Sequence, residues 1–233
     1  MKITSFCLAI AIVVLPTFCP TVHAQTLSMD IEQIGAFTSD YFRASNITYA
    51  DGPNVGLSAF GGEGDLLCFN RARLNPIIGD THLYQQMETS YFFQAGGTEK
   101  GDAMVHWMID NYYDAIVTTG DYTDQYPLHL ALWEVAHDYD GTVDSLDIYS
   151  GDNNLSDNRP DIDYLVFDLI ANYDSIASDY RSTLYNITYL EDFTSGNDYQ
   201  SMLLVAPVPE PSTLLLCGIA GAFGLLNRRR KKA

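Results

Sequence analysis

The C-terminal end of the chain constrains its fold and its fate more than any other stretch. Residues 208–233 read VPEPSTLLLCGIAGAFGLLNRRRKKA, in which a Pro-Glu-Pro turn is followed by an apolar run over residues 214–226 and then by basic residues. As a helix the run covers about 20 Å, short of the roughly 30 Å hydrocarbon core of a bilayer. Positive charges directly after an apolar segment resist translocation and bind the anionic cytoplasmic leaflet, so the run is predicted to stop in the membrane. The basic cluster comprises Arg228, Arg229, Arg230, Lys231 and Lys232.

This tail resembles the PEP-CTERM sorting signal of Gram-negative bacteria, because the motif, the apolar run and the arginine cluster occur in that order at the terminus. In that family the Pro-Glu-Pro motif is recognised by a membrane-embedded exosortase that removes the tail. The resemblance implies that Pro209, Glu210 and Pro211 form the processing element, and that the exosortase and the inner membrane are partners. The product is then expected at the cell surface or in an extracellular polysaccharide matrix such as a biofilm. A plain C-terminal anchor with a proline-rich hinge is the alternative.

The N-terminal end also carries an export signal. Residues 1–24 combine Lys2, an apolar run over residues 6–15 and the small-residue sequence Val22-His23-Ala24, which is the make-up of a secretory signal peptide. Five segments are therefore predicted: a signal peptide at 1–24, an ectodomain at 25–205, a Pro-rich hinge at 206–213, a transmembrane helix at 214–227 and a cytoplasmic basic tail at 228–233.

The region between the two signals is strongly acidic. Of the 12 basic residues, Lys2 and the five of the tail lie outside residues 25–207, and of the 30 acidic residues only Glu210 does. That leaves 6 basic and 29 acidic residues, and a net charge of −23. Such a surface repels nucleic acid and anionic membranes and keeps an exported domain soluble. Nucleic acid is therefore excluded as a partner.

One cysteine remains in the predicted ectodomain. Cys7 and Cys19 belong to the signal peptide and Cys217 to the tail, which leaves Cys68 alone. An internal disulfide is therefore impossible. An odd cysteine in an oxidising compartment is either buried and inert or chemically used, and the apolar sequence LLCFN around Cys68 favours burial.

Short strands are predicted over residues 29–95, where runs of β-branched and aromatic residues are separated by Gly, Asn, Asp and Pro. Two further strands are predicted near the end of the ectodomain, before the hinge. The predicted strands are residues 37–42, 46–50, 55–59, 66–69, 91–94, 185–191 and 199–205.

The middle of the chain changes to a helical period. From Met104 apolar residues recur at helical spacing, with Asp102 placed to cap the start, so a helix is predicted over residues 102–117. The sequence PLHLALWEVAHDY at 127–139 is apolar on most sides, which predicts a buried helix with its proline in the first turn. A third apolar stripe predicts a core helix over residues 158–180. The predicted fold class is α+β, with a small antiparallel sheet or barrel packed against a helical half and a C-terminal hydrophobic helix.

A second resemblance concerns the ectodomain. A cysteine on an early strand in LLCFN, a helix such as VHWMIDNYY, then LHLALWEVAHDY and a closing YQSMLLVAP are similar to the thioester-forming domains of bacterial surface adhesins. In that family a strand Cys and the Gln of a Gln-x-Ala-Ile-Trp motif form an internal thioester that amines attack. Cys68 takes the position of the family cysteine, His129 stands at the Gln position, and Ala131, Leu132 and Trp133 match Ala-Ile-Trp.

The histidine decides the chemistry, because a thioester needs the acyl carbon of a carboxamide and imidazole has none. The resemblance therefore implies a degenerate, non-enzymatic adhesin-like domain that binds a surface ligand or an exopolysaccharide and needs no cofactor. The alternative is an active thioester adhesin in which Cys68 joins a displaced glutamine, either Gln94 or Gln125.

Two further alternatives use the histidine itself. Imidazole beside a thiol generates a nucleophilic thiolate, so Cys68 and His129 are also a candidate Cys-His hydrolase pair. Histidine and cysteine are equally the donors of zinc sites. Against both, an apolar strand hides a thiol, and a hydrogen-bonded core histidine is the simpler interpretation. The residues near enough in sequence to orient the base are Glu134, His137 and Asp138.

The loop at 138–147, DYDGTVDSLD, resembles half of a calcium-binding loop. With Gly141 at the turn, Asp138 and Asp140 fall on ligand positions. The first ligand position is Ala136, however, and the last is Asp147 where a bidentate Glu is usual. A solvated acidic loop is therefore the default, and no metal is predicted.

Overall fold

The computed structural model describes residues 25–33, 41–69, 79–94, 97–119, 122–151, 164–193 and 200–208. They form a closed antiparallel barrel of six strands and three α-helices, which confirms the predicted α+β class. The strands are β1 (Thr26–Gln33), β2 (Tyr41–Tyr49), β3 (Glu63–Cys68), β4 (Thr81–Gln86), β5 (Tyr185–Asp192) and β6 (Met202–Pro207). The helices are α1 (Thr98–Thr119), α2 (Tyr122–His137) and α3 (Tyr164–Asn172).

The barrel runs in the order β1-β2-β3-β6-β5-β4, and pairing of β1 with β4 closes it. Alternate residues of each strand point to opposite faces. On β3, Leu66 and Cys68 belong to the core inside the barrel, whereas Leu67 belongs to the core shared with the helices. The structure therefore has two apolar cores separated by the barrel wall.

The helices cover one side of the barrel and also enter its interior. α2 is buried at every residue from Pro127 to Ala136, which confirms the prediction of a buried helix. Leu130 and Trp133 of α2 belong to the core inside the barrel, whereas Leu128 and Leu132 belong to the core that α1 and α3 complete. Because α2 contributes side chains to both cores, it is apolar on all sides.

Several predicted helix boundaries are wrong. α1 begins at Thr98, so Asp102 lies inside the helix and does not cap it. α2 begins at Tyr122, so Pro127 lies inside that helix beyond its first turn. α3 ends at Asn172, followed by a single 3-10 turn at Tyr173–Ser175, so its predicted extension to residue 180 is wrong. The predicted start of this helix lies outside the described residues.

The strand predictions are right for β3, β5 and β6, whereas the other four predicted strands differ from the structure. Residues 41–42 and 46–49 of the predicted strands at 37–42 and 46–50 lie in one strand, β2, and residues 37–40 lie outside the described residues. β1 and β4 were not predicted. Residues 55–59 form turns with one isolated bridge at Ser58, and Val55 and Leu57 are exposed. Tyr91 ends a 3-10 turn, Thr89–Tyr91, and residues 92–94, which follow the turn, are not in a strand.

Both targeting segments fall outside the described residues. They include the signal peptide at 1–24, Pro209, Glu210 and Pro211, the predicted transmembrane helix at 214–227 and the basic tail at 228–233. In the part of the chain that the structure covers, no helix has the length and apolar character needed to cross a bilayer. The predicted boundaries of these segments stay predictions.

Candidate functional site

Cys68 and Trp133 lie together where β3 ends against α2. Cys68 is the last residue of β3, pairs with Met202 of β6 and is wholly buried in the core inside the barrel. The indole Nε1–H of Trp133 donates a hydrogen bond of 2.9 Å to the backbone carbonyl of Cys68. This bond satisfies a buried carbonyl and fixes α2 against the strand that carries the thiol.

His129 lies one helical turn before Trp133 on α2. It is 2% exposed, and the centroids of the two rings are 6.0 Å apart. The structure therefore brings two of the three thioester-like positions into direct contact and places the third beside the tryptophan. Reaction at sulfur requires an accessible thiolate, and the environment of Cys68 is apolar and closed to solvent.

The other residues proposed around this pair are placed as follows. Gln94 is exposed, and its Nε2 donates a hydrogen bond to the backbone carbonyl of His137. Glu134 is wholly buried on α2. Asp138 packs against Gly151, where an added Cβ would come within 2.6 Å of the carboxylate. The side chain of Gln125 lies outside the described residues.

In the acidic loop at 138–147, carboxylates accept hydrogen bonds from residues in or next to the loop. Asp140 Oδ1 accepts hydrogen bonds from the Thr142 hydroxyl at 2.8 Å and from the Thr142 backbone N–H at 3.0 Å, which lower the pKa of Asp140. Asp147 likewise accepts a bond from the backbone N–H of Tyr149 at 3.0 Å. Among the described residues, no group of three or more His, Cys, Asp or Glu side chains is arranged to hold a metal ion.

An open cleft of about 620 Å³, which no sequence prediction included, lies between α1, β5 and the chain that follows β4. We call it the Asp102 cleft, after the carboxylate in its wall. Its lining includes Phe60, Glu88, Asp102, His106, Arg181 and Tyr189.

Asp102 is a buried carboxylate held by three side chains. It is 3% exposed. Arg181 Nη2 lies 2.8 Å from Asp102 Oδ2, the Tyr189 hydroxyl donates a hydrogen bond of 2.7 Å to Oδ1, and His106 Nε2 lies 3.6 Å from Oδ1. A buried charge is tolerated when it is paired and hydrogen-bonded, and Arg181 and Tyr189 supply that ion pair and that hydrogen bond to Asp102.

His106 is positioned by the backbone on its other side. Its Nδ1 accepts a hydrogen bond of 3.1 Å from the Ser182 N–H, which requires the tautomer that carries its proton on Nε2, facing Asp102. Burial lowers the pKa of His106 below its ordinary value, although Asp102 opposes this shift. The imidazole is therefore neutral at pH 7.

Further along the same face of α1, two aspartates accept hydrogen bonds from tyrosine hydroxyls. Asp110 accepts hydrogen bonds from Tyr180 at 2.7 Å and from the Ser182 hydroxyl, and Asp114 accepts one from Tyr185. Burial, together with the bond to Asp110, raises the pKa of Tyr180 to about 12. These bonds hold residues 180–189 along α1 and so position Arg181 at the cleft.

Two signals in the sequence point to this cluster. Asp102, His106, Asp110 and Asp114 recur every four residues, which places them on one face of a helix. Arg181 is also one of only 6 basic residues in the acidic region, and such a residue is easily overlooked when charge is summed. Glu88 and Tyr189 carry no comparable signal.

Comparison with known families identifies the C-terminal segment. Residues 207–231 match the family described as the PEP-CTERM protein-sorting motif, and the match begins where β6 ends at Pro207. The chain is therefore an exported protein that carries a PEP-CTERM sorting signal, and this signal implies processing by an exosortase.

The remaining comparisons concern the whole chain. Among solved structures, it is similar to the N-terminal thioester domain of the fibronectin-binding protein SfbI from Streptococcus pyogenes. The TM-score is 0.45 and the identity 15%, over 82% of this chain and 97% of that one. No curated protein matches the sequence.

Proposed function

We propose that the chain delivers an acidic α+β domain to the cell envelope or the extracellular matrix, where it acts by non-covalent, non-enzymatic binding to a surface ligand or an exopolysaccharide. The observation that carries the proposal is the sorting motif at residues 207–231. A protein addressed outward meets its ligands outside the cytoplasm, and a net charge of −23 over residues 25–207 keeps it soluble there.

The surroundings of Cys68 support a non-covalent role. The thiol belongs to a wholly buried residue, and its strand is closed off by Trp133 of α2. The position that carries Gln in thioester-forming domains is His129, which supplies no acyl carbon. An amine from a ligand would therefore find neither an activated acyl group nor an accessible sulfur.

The sorting step is tested by replacing the motif in the full chain. In a bacterium that carries an exosortase, we expect the wild-type chain outside the cytoplasm without its tail. The double variant P209A/E210A should stay with the membrane and keep its tail. Glu99→Ala, at an exposed position on α1, is the matched control and should behave as wild type. Uncut wild-type chain in the cytosol, or a motif variant that is sorted normally, would overturn the proposal.

The non-covalent role is tested by methylamine treatment of the purified chain. We expect no incorporation and no change in intact mass, as for the control Cys68→Ala. If the untreated protein is lighter than its sequence by one ammonia, and methylamine adds at the acyl partner of Cys68 and releases the Cys68 thiol, the domain is a covalent thioester adhesin.

A further inference from the structure

We propose that the Asp102 cleft binds a neutral, hydroxyl-rich ligand, namely a short segment of an uncharged saccharide chain. This inference rests on the proposed surface role and names the chemical class of its ligand. It depends on the size of the cleft, on the polar groups at its surface, on its charge and on its apolar wall.

The size suits more than one sugar ring. The cleft measures about 620 Å³, and a second hollow of about 440 Å³ shares Gln86, Met87 and Glu88 with it. Ligand sites in proteins are commonly clefts of about 300–1,000 Å³. Because the two hollows share one segment of chain in their walls, they adjoin each other, and a chain-like ligand that reaches both suits them better than a compact one.

The polar groups at the surface of the cleft can form hydrogen bonds with neighbouring hydroxyl groups of a sugar. Arg181 is half-exposed and uses its guanidinium on Asp102 and on the Tyr180 carbonyl, at 2.6 Å. A guanidinium has five N–H donors, so Arg181, which lines the cleft, has donors beyond these two contacts. Glu88 is exposed and supplies acceptors. A sugar hydroxyl donates and accepts at once, so neighbouring hydroxyls satisfy both Glu88 and Arg181, through charge-assisted bonds.

The charge of the cleft disfavours the other ligand classes. Glu88 and Asp102 oppose the single cation Arg181, and the region of residues 25–207 carries −23 in total. A polyanion such as a polyuronate or a nucleic acid is therefore repelled. A wholly apolar ligand would strip water from Arg181 and Glu88 without replacing their hydrogen bonds, which is costly.

The wall of the cleft supplies the apolar contact that a sugar ring needs. Phe60, Met87 and Ile187 line it. Phe60 has φ of 52°, a left-handed conformation that costs a residue with a side chain roughly 1–2 kcal/mol. Such strain persists where surrounding structure enforces it and is concentrated at ligand sites. Tyr91, 53% exposed in the adjoining hollow, adds an aromatic surface for the next ring.

The test is calorimetric titration of the purified full chain with cellohexaose, isomaltohexaose and mannohexaose, and with a polyguluronate hexamer as the acidic probe. We expect binding of at least one neutral hexasaccharide and none of the acidic one. Glu88→Gln should weaken the binding about tenfold, which is the loss of one charge-assisted hydrogen bond. Glu99→Gln, exposed on α1 and not among the residues that line the cleft, should change nothing.

Three results would overturn the assignment: no binding of any neutral hexasaccharide, equal binding of the acidic one, or unchanged binding by Glu88→Gln. Glu88 is exposed, so its replacement leaves the fold intact, and thermal melting verifies this. The outcome is separable from the sorting experiment. A chain that is exported correctly but binds no neutral saccharide refutes this inference alone, whereas a chain that binds saccharide but stays in the cytosol refutes the proposed function.

Discussion

Removal of one hydroxyl group, in Tyr189→Phe, tests the anchor of the Asp102 cleft. The ring of Tyr189 stacks on Phe92 with centroids 5.3 Å apart, and phenylalanine preserves this packing. What disappears is the buried 2.7 Å hydrogen bond to the Asp102 carboxylate. Hydrogen bonds to charged groups contribute roughly 1.5–3 kcal/mol, so the free energy of unfolding should fall by about that amount.

The assay is urea unfolding of the purified chain at pH 7, with Tyr91→Phe at an exposed position as the control. For a domain of this size the melting temperature should also fall by roughly 2–4 °C for each kcal/mol lost. In a double-mutant cycle with Asp102→Asn, the two changes should couple by about 1 kcal/mol or more, because both remove the same bond. A Tyr189→Phe protein within about 0.5 kcal/mol of wild type, or strictly additive changes, would refute the anchor.

Three further predictions concern single residues. Burial lowers the pKa of His106 in the folded state, so as the pH falls the unfolded chain takes up this proton before the folded chain does. The free energy of unfolding should therefore fall as the pH drops through about 6.5. In denaturation experiments at several pH values, His106→Gln should make this fall smaller. Trp133→Phe removes the donor to the buried Cys68 carbonyl and should cost about 1–3 kcal/mol in urea unfolding; an unchanged midpoint would contradict the contact. Gly97→Ala places a Cβ 2.9 Å from the backbone oxygen of Tyr139 and should lower the melting temperature through overpacking of about 1–3 kcal/mol.

The helices and three of the strands are predictable because each carries an apolar pattern that is hardly interrupted. α1 repeats apolar residues every three or four positions, α2 is apolar on nearly all sides, and β3, β5 and β6 consist mostly of buried or half-buried residues. Their ends are less predictable. α1 starts four residues before Asp102, where Gly101 lets Phe93 approach to within 2.8 Å of the position a Cβ would take, a tertiary contact that no local signal reveals.

β4 was missed because its pattern is inverted. His82 and Tyr84 point inward and are buried, whereas Leu83 is 37% exposed. The sequence THLYQQ therefore lacks an apolar alternation, and only pairing with β1 and β5 makes it a strand. The opposite error is a strand predicted around Val55 and Leu57 that does not exist. These residues are apolar yet exposed, because turns at Gly52 and Gly56, both with left-handed backbone, take the place of a strand.

The two candidate sites also differ in how far the sequence predicts them. The positions of Cys68, His129 and Trp133 carry short motifs, and the structure places them near one another as such motifs imply. The Asp102 cleft instead combines residues from positions 60, 88, 102 and 181, which only the closed barrel and its docking on α1 bring together. Long-range contacts of this kind have no signature in a single sequence.

The measurement that most directly tests the central claim is the intact mass of the wild-type protein recovered from outside the cytoplasm. We predict a polypeptide that begins at Gln25, ends near the Pro-Glu-Pro motif and retains an unmodified Cys68 thiol. A full-length chain in the cytosol, uncut at both ends, would contradict the export and sorting on which the account depends.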